Sequence, residues 1–206
     1  MYILKRSLAP ITEEAWEEID EFAKDVITSQ LSARKVVDVE GPLGWEASAV
    51  SLGRLEVPSG QKEGDVHYGI RMVKPLVEIR VPFELDVWEL DNISRGAKDA
   101  ELDPLEEAAK KAAGFEEDAV YKGFTLGSIT GMAEEASLKL QAGGKDAGYL
   151  GLFTQAVDKM KDAGISGPYS LVVPSDKWYR IVDSAKGYPI ERQRSEEHTS
   201  ELQSLL

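Results

Sequence analysis

Val37-Asp38-Val39-Glu40-Gly41-Pro42-Leu43-Gly44-Trp45-Glu46 divides a helical segment from a β-rich one, and the fold is read outward from it. On its N-terminal side, Thr12 is a good N-cap, and Glu13 and Glu14 sit favourably against the helix dipole. Ile11 and Trp16 have the spacing of a hydrophobic staple. Trp16, Ile19, Phe22, Ala23, Val26, Ile27 and Leu31 recur at helical spacing, so one face is apolar and needs a partner surface. On the C-terminal side, the arm Leu52 to Val57 and the alternating Val66, Tyr68, Ile70 and Met72 flank a turn cluster, Pro58 to Asp65. Val77, Ile79, Val81, Phe83 and Leu85 alternate with polar residues, which predicts a strand with one buried face. Pro82 marks an edge or a bulge there. A two-stranded projection of this kind is marginal alone in water, so it must lie against something.

Further along, Asp103-Pro104-Leu105-Glu106 reads as a capping box with proline at the first helical position. Leu105, Ala108, Ala109, Ala112 and Phe115 give the helix an apolar stripe. Gly123, Gly127 and Gly131, then Gly143 and Gly144, mark a loop-rich stretch in which the glycines serve turns. A helix over Asp146 to Asp162 buries Leu150, Phe153, Val157 and Met160 and ends at Gly164 as its C′ residue. Tyr169 to Val173 is predicted as a strand. Ser175 or Asp176 then caps a short helix bearing Trp178, Ile181 and Val182. The order of elements is mixed, so the fold class is α+β. There is no internal repeat and no low-complexity linker.

Composition bounds the function. Of 206 residues, 42% are apolar and 30% charged, which is ordinary for a globular chain able to bury a core. No apolar run approaches the roughly 20 residues that span a bilayer. Lys5 and Arg6 are followed by Pro10 and a charged helix rather than by a signal-peptide core. Without cysteine there is no disulfide framework, and the expected location is the cytoplasm. A net charge of −13 with no Lys/Arg cluster argues against nucleic acid as a partner, because that binding depends on neutralising phosphates.

The chemical inventory is thin. His67 is the single histidine before residue 198, on a predicted strand, and no Gly-x-Ser-x-Gly elbow accompanies it. Thiol chemistry is excluded by composition. Glu106, Glu107, Glu116, Glu117 and Asp118 are carboxylates with metal-binding potential, but the Glu-x-x-His pairs of di-iron bundles are missing. Gly143-Gly144-Lys145 fails as a phosphate loop, since Asp146 replaces the Ser/Thr and Lys139 stands where the first glycine belongs. The chain is therefore expected not to be an enzyme, with no catalytic residues and no metal site.

The stretch from Val37 to Glu46, together with Trp88-Glu89-Leu90-Asp91-Asn92 and Gly167-Pro168-Tyr169-Ser170-Leu171, resembles the family 1 encapsulin shell proteins, the linocin-type bacteriocin family. The resemblance runs from Met1 to about Gln193. It implies the tailed-phage major capsid protein fold, divided into an N-terminal arm and helix (1–45), an extended hairpin arm or E-loop with the start of the peripheral domain (46–95), a peripheral-domain helix (96–125) and an axial domain (126–193). Residues 194–206 instead resemble the in-frame translation of a sequencing adapter and are expected to be foreign. Without that tail, which carries one positive and three negative charges, the net charge is −11. Encapsulins continue beyond the Tyr188-Pro189-Ile190 segment, so the C-terminal part of the fold is expected to be missing here. The chain as it stands is then expected to aggregate or to stay unassembled.

What the resemblance implies for function is a self-assembling icosahedral nanocompartment in the cytoplasm that encloses a cargo enzyme and meters access through pores. Its partners are copies of itself and a cargo enzyme held by a C-terminal targeting peptide, with no nucleic acid and no membrane. The cargo-peptide positions are Ile27, Leu31, Arg34 and Asp38, the apolar pair burying anchors and the charged pair orienting the peptide. The plain alternative is that Arg34 and Asp38 pair with each other or with neighbours. The Lys186-Gly187-Tyr188-Pro189 loop matches the fivefold pore, without the histidine some relatives carry. Trp88 matches a flavin-stacking position, against the plain reading of a core or interface tryptophan after a buried strand. The Trp88 to Asn92 motif points to a ferritin-like iron-oxidising cargo, hence iron storage, with a dye-decolourising peroxidase as the rival cargo. Two other functions compete. A prophage major capsid protein is disfavoured by the lack of a scaffolding extension before Met1, and a hydrolase, protease or bacteriocin by the lack of a nucleophile and base.

Overall fold

Thr12 caps the first helix as its sequence requires. Its hydroxyl accepts the Ala15 N–H at 3.3 Å, and α1 runs Glu13–Gln30. In this computed structural model, residues 5–62, 64, 66–140, 149–174, 177, 178 and 181 are described. The chain divides into two compact units, Met1–Glu134 and Glu135–Leu206.

In the first unit, α1 packs its apolar stripe against two further helices, α2 (Val87–Ser94) and α3 (Asp103–Lys122). Ala15, Ile19, Leu90, Leu102 and Leu105 form the buried cluster, with Ile11, Trp16, Phe22, Leu85 and Ile93 packed around it. Ile11 and Trp16 thus close the helix entry from the same cluster. The Arg6 guanidinium lies 4.8 Å over the Trp16 ring and reaches Asp20 at 2.6 Å, tying the preceding turn to the helix. At the same entry, the Thr12 and Ser94 hydroxyls hydrogen-bond at 2.6 Å and join the start of α1 to the end of α2.

A long ribbon leaves this core. Strand β1 (Ala49–Glu56) pairs antiparallel with β2 (Ile70–Pro75), from Ala49 opposite Pro75 to Glu56 opposite Ile70. The register shifts between Ser51 and Leu55, where Gly53 takes φ +65°. A bulge of this kind bends and twists a two-stranded ribbon. Beyond the ladder, the Gln61 side chain takes the place of a partner strand. It accepts the Tyr68 N–H at 2.9 Å and donates to the Tyr68 carbonyl at 2.7 Å. Strand pairing therefore starts at Ile70, later than the alternation from Val66 predicts. Every residue of both strands is exposed.

The predicted strand over Val77 to Leu85 is corrected. It is extended chain without a ladder, with Val77, Val81 and Leu85 half-buried while Ile79 and Phe83 are 40% and 42% exposed. Period two was present, but no described strand lies alongside to complete the ladder. The capping box at Asp103 is also corrected. Leu102 is the N-cap, no side chain caps the helix, and Asp103 and Pro104 are already in its first turn. Proline still lies where its missing N–H costs no helical bond.

After α3, a tight hairpin pairs β3 (Gly123–Phe124) with β4 (Ile129–Thr130). A side chain on Gly131 would meet the Gly123 nitrogen and the Lys122 carbonyl carbon, and one on Gly127 would lie 2.6 Å from Val77 Cγ2. These glycines permit close backbone approach as well as turning. Phe124 meets Phe115 edge-on at 5.1 Å, and Lys74 Nζ donates to the Ser128 carbonyl at 2.7 Å, which fixes the ribbon's base to this hairpin. One more helical turn, α4 (Met132–Glu135), follows.

In the second unit, α5 spans Tyr149–Asp162. Its end is a Schellman motif: Gly164 N–H bonds the Lys161 carbonyl and Ile165 N–H bonds the Met160 carbonyl, both at 2.9 Å, with Gly164 at φ +77°. The strand predicted over Tyr169 to Val173 is extended chain without a ladder, and Tyr169 Oη instead donates back to the Ile165 carbonyl at 2.7 Å. A helical turn begins at Pro174, whose carbonyl accepts from Lys177 and Trp178. The start of the predicted helix at Asp146, the Leu150 side chain, the Gly143-Gly144-Lys145 stretch, the Lys186 to Pro189 loop and the 194–206 tail lie outside the described residues.

Candidate functional site

The four candidate peptide-binding residues lie at and after the C-terminus of α1. Leu31 is the C-cap, its N–H bonding the Ile27 carbonyl at 3.2 Å, and the chain then tightens into a 3₁₀ turn over Ala33–Lys35. Ile27 is half-buried on the last turns of α1, Leu31 is buried at 4% exposure, and Arg34 and Asp38 are exposed. Leu31 is therefore largely committed to the chain's own core, while Ile27 and Arg34 keep accessible surface.

Two consecutive carboxylates of α3 hold this corner. Glu117 accepts the Ala33 N–H at 2.7 Å through one oxygen and the Ser32 hydroxyl at 2.5 Å through the other, and Tyr121 Oη joins Ser32 at 3.0 Å. Glu116 accepts Arg34 Nε at 2.6 Å and Nη2 at 2.8 Å, a bidentate fork. Hydrogen bonding to Glu116 raises the Arg34 pKa above its ordinary value against the opposing effect of burial, so its positive charge is fixed. Arg34 thus pairs across the fold with Glu116. Sequence reading placed Glu116 and Glu117 only among carboxylates with metal-binding potential. Nothing in local spacing could have revealed a tie to residues more than 80 positions earlier.

The carboxylates Glu106, Glu107 and Asp118 of α3 pair with Lys110, Lys111 and Lys122 one helical turn on. Among the described residues no group of three His, Cys, Asp or Glu side chains could hold a metal ion. His67 is exposed beside the ribbon.

Trp88 lies in the first turn of α2, not after a buried strand. Asp86 caps that helix by accepting the Trp88 N–H at 2.8 Å, and the tryptophan is 72% exposed. The helix was missed in the sequence although its signal was there. Asp86-Val87-Trp88-Glu89 has an N-cap acid with glutamate three residues on, the spacing of a capping box. An exposed indole carried on a short packed helix offers a flat stacking face.

No helix of the described residues is long and apolar enough to cross a membrane. A family model described as an encapsulating protein for peroxidase matches residues 1–199, ending within the stretch that resembles an adapter. Among curated proteins, the type 1 encapsulin shell protein of Rhodospirillum rubrum is 42% identical over 197 aligned residues, covering 91% of this chain and 70% of that protein. Type 1 encapsulin shell proteins of Mycolicibacterium paratuberculosis and Rhodococcus erythropolis are 41% and 39% identical, each over 91% of this chain and 71% of the relative.

Proposed function

The chain belongs to the encapsulin shell-protein family, and on that premise we propose that its copies assemble into a closed icosahedral nanocompartment enclosing a cargo enzyme. One observation carries the reading from physics. The β1–β2 ribbon projects with Val50, Leu52, Leu55, Ile70, Met72 and Val73 all at least 40% exposed, on a two-stranded ladder too small to be stable by itself. Such a ribbon is satisfied by lying along a neighbouring copy, repeated by symmetry. The fold is that of the tailed-phage capsid proteins, with the ribbon as E-loop, the three-helix unit in the N-terminal and peripheral regions, and residues 135–193 of the second unit in the axial domain.

The cargo is held by a short targeting peptide against Ile27, Leu31, Arg34 and Asp38, and the Lys186 to Pro189 loop lines a pore. A ferritin-like iron-oxidising cargo is favoured by the Trp88 to Asn92 motif. The family description names a peroxidase, which supports that class as the second cargo reading. A flavin would stack on Trp88, and the compartment is cytoplasmic. The test is to read the locus from source DNA past Gln193, express the whole frame, and examine it by gel filtration and negative-stain microscopy. Closed particles that retain a co-expressed neighbouring gene product are expected, and an expressed frame whose product stays monomeric would overturn the reading.

A further inference from the structure

Ser32, Ala33 and Arg34 are three consecutive residues, each bonded to one of two consecutive α3 carboxylates. Glu117 fixes the backbone and the preceding hydroxyl, while Glu116 takes the Nε and Nη2 edge of the guanidinium. What remains to Arg34 is the far edge of the fork, with its positive charge already matched by a carboxylate.

We propose that Glu116 is the specificity-determining positioning residue of the peptide groove. It presents Arg34 as a cation already paired with one carboxylate, so that the groove accepts a neutral acceptor and discriminates against a second carboxylate there. This rests on the reading of Ile27, Leu31, Arg34 and Asp38 as the peptide site. A backbone carbonyl or side-chain amide oxygen arriving at the Nη edge, which is unoccupied among the described residues, gains a charge-assisted hydrogen bond without a second negative charge. An aspartate or glutamate arriving there shares one guanidinium with the Glu116 carboxylate. Like charges around a single cation disfavour each other, and discrimination by repulsion is a recognised route to specificity. Glu117, which touches Ser32 and Ala33 but not Arg34, holds the corner without setting this preference.

The test uses two acetylated, amidated leucine-rich octapeptides, identical except for one asparagine or aspartate, titrated calorimetrically into the assembled protein. The wild type is expected to bind the asparagine peptide several-fold more tightly. Glu116→Gln keeps an oxygen for Nε but removes the charge, and is expected to shift the ratio about tenfold toward aspartate, as 1.4 kcal/mol would. Glu117→Gln is expected to weaken both peptides together with the ratio unchanged. If Glu116→Gln lowers both affinities equally, the residue is merely structural and the proposal fails while the groove stands. If the wild type binds neither peptide, the groove reading fails and takes this one with it. Salt supplies a check needing no variant. The wild-type preference is expected to shrink between 50 and 500 mM NaCl as repulsion is screened, at roughly the Debye lengths involved, and a preference unmoved by salt overturns the proposal.

Discussion

Arg34 and Glu116, 82 residues apart in sequence, meet in a two-bond fork of 2.6 and 2.8 Å that ties the end of α1 to α3. The pair is half-open to solvent, with the Arg34 side chain 51% and the Glu116 side chain 29% exposed. Water therefore screens it, and a double-mutant cycle of Arg34→Ala and Glu116→Ala is expected to give a coupling of about 0.5 to 1 kcal/mol in urea unfolding. Arg34→Lys should lose most of that coupling, because an ammonium cannot reproduce the fork. A coupling near zero with both singles neutral would show that the fork adds nothing to the corner.

Thr12 closes two contacts with one hydroxyl, the cap to Ala15 and the bond to Ser94. Thr12→Ala is expected to cost about 1 kcal/mol by thermal or urea unfolding, the usual loss of a helix cap. Glu14 adds a pH signature. Its carboxyl is held below the usual range by a backbone hydrogen bond at its own residue and then by Thr12. A depressed folded pKa gives stability that is present above the unfolded value and is lost as pH falls through the folded one. The gap between wild type and Thr12→Ala should accordingly narrow in acid, and a gap independent of pH would contradict the Thr12–Glu14 link.

Two glycines of the same region should answer alanine with opposite signs. A Cβ on Gly131 would collide with backbone at Lys122 and Gly123, whereas one on Gly114, inside α3, meets nothing within 4 Å. Gly131→Ala is expected to lose about 1 to 3 kcal/mol through forced backbone shifts. Gly114→Ala should gain up to about 1 kcal/mol from helix propensity. Equal effects at both positions would mean that the close approach of β3 and β4 to the end of α3 is not a constraint.

The division between what local sequence revealed and what it hid follows the range of each interaction. The α1 stripe and cap, the bulk of α3 and the Gly164 stop rest on contacts within a few residues, so periodicity and capping chemistry located them. The Val77 to Leu85 run carried a strand's alternation, but a ladder also needs a neighbour, and alternation says nothing of where that neighbour is. Helix α2 is only eight residues long and follows directly on the Val77 to Leu85 alternation, which masks the Asp86 and Glu89 pair at its start. At the candidate site, Ile27 and Arg34 were placed by family resemblance, and the carboxylates that hold the corner became visible only once α1 and α3 lay side by side.

The ribbon gives the sharpest separation of folding from assembly. Leu55 and Val73 are 58% and 51% exposed, on strands whose every residue faces solvent in the single chain. Their apolar surface contributes almost nothing to the monomer's core, which is built from Ala15, Ile19, Leu90, Leu102 and Leu105. Surface substitutions away from a core usually change stability by less than about 0.5 kcal/mol. Leu55→Glu with Val73→Glu in the assembling protein should therefore leave helix content and the unfolding midpoint of the dissociated chain nearly unchanged. In a neighbouring copy's contact, each carboxylate would be buried unpaired, repeated at every equivalent interface of a symmetric particle. Closed particles should disappear from negative-stain fields, and the gel-filtration peak should move to small species. Particles of normal size and yield from the double variant would show that the ribbon is not an assembly surface, and the exposed apolar ladder would then need another partner.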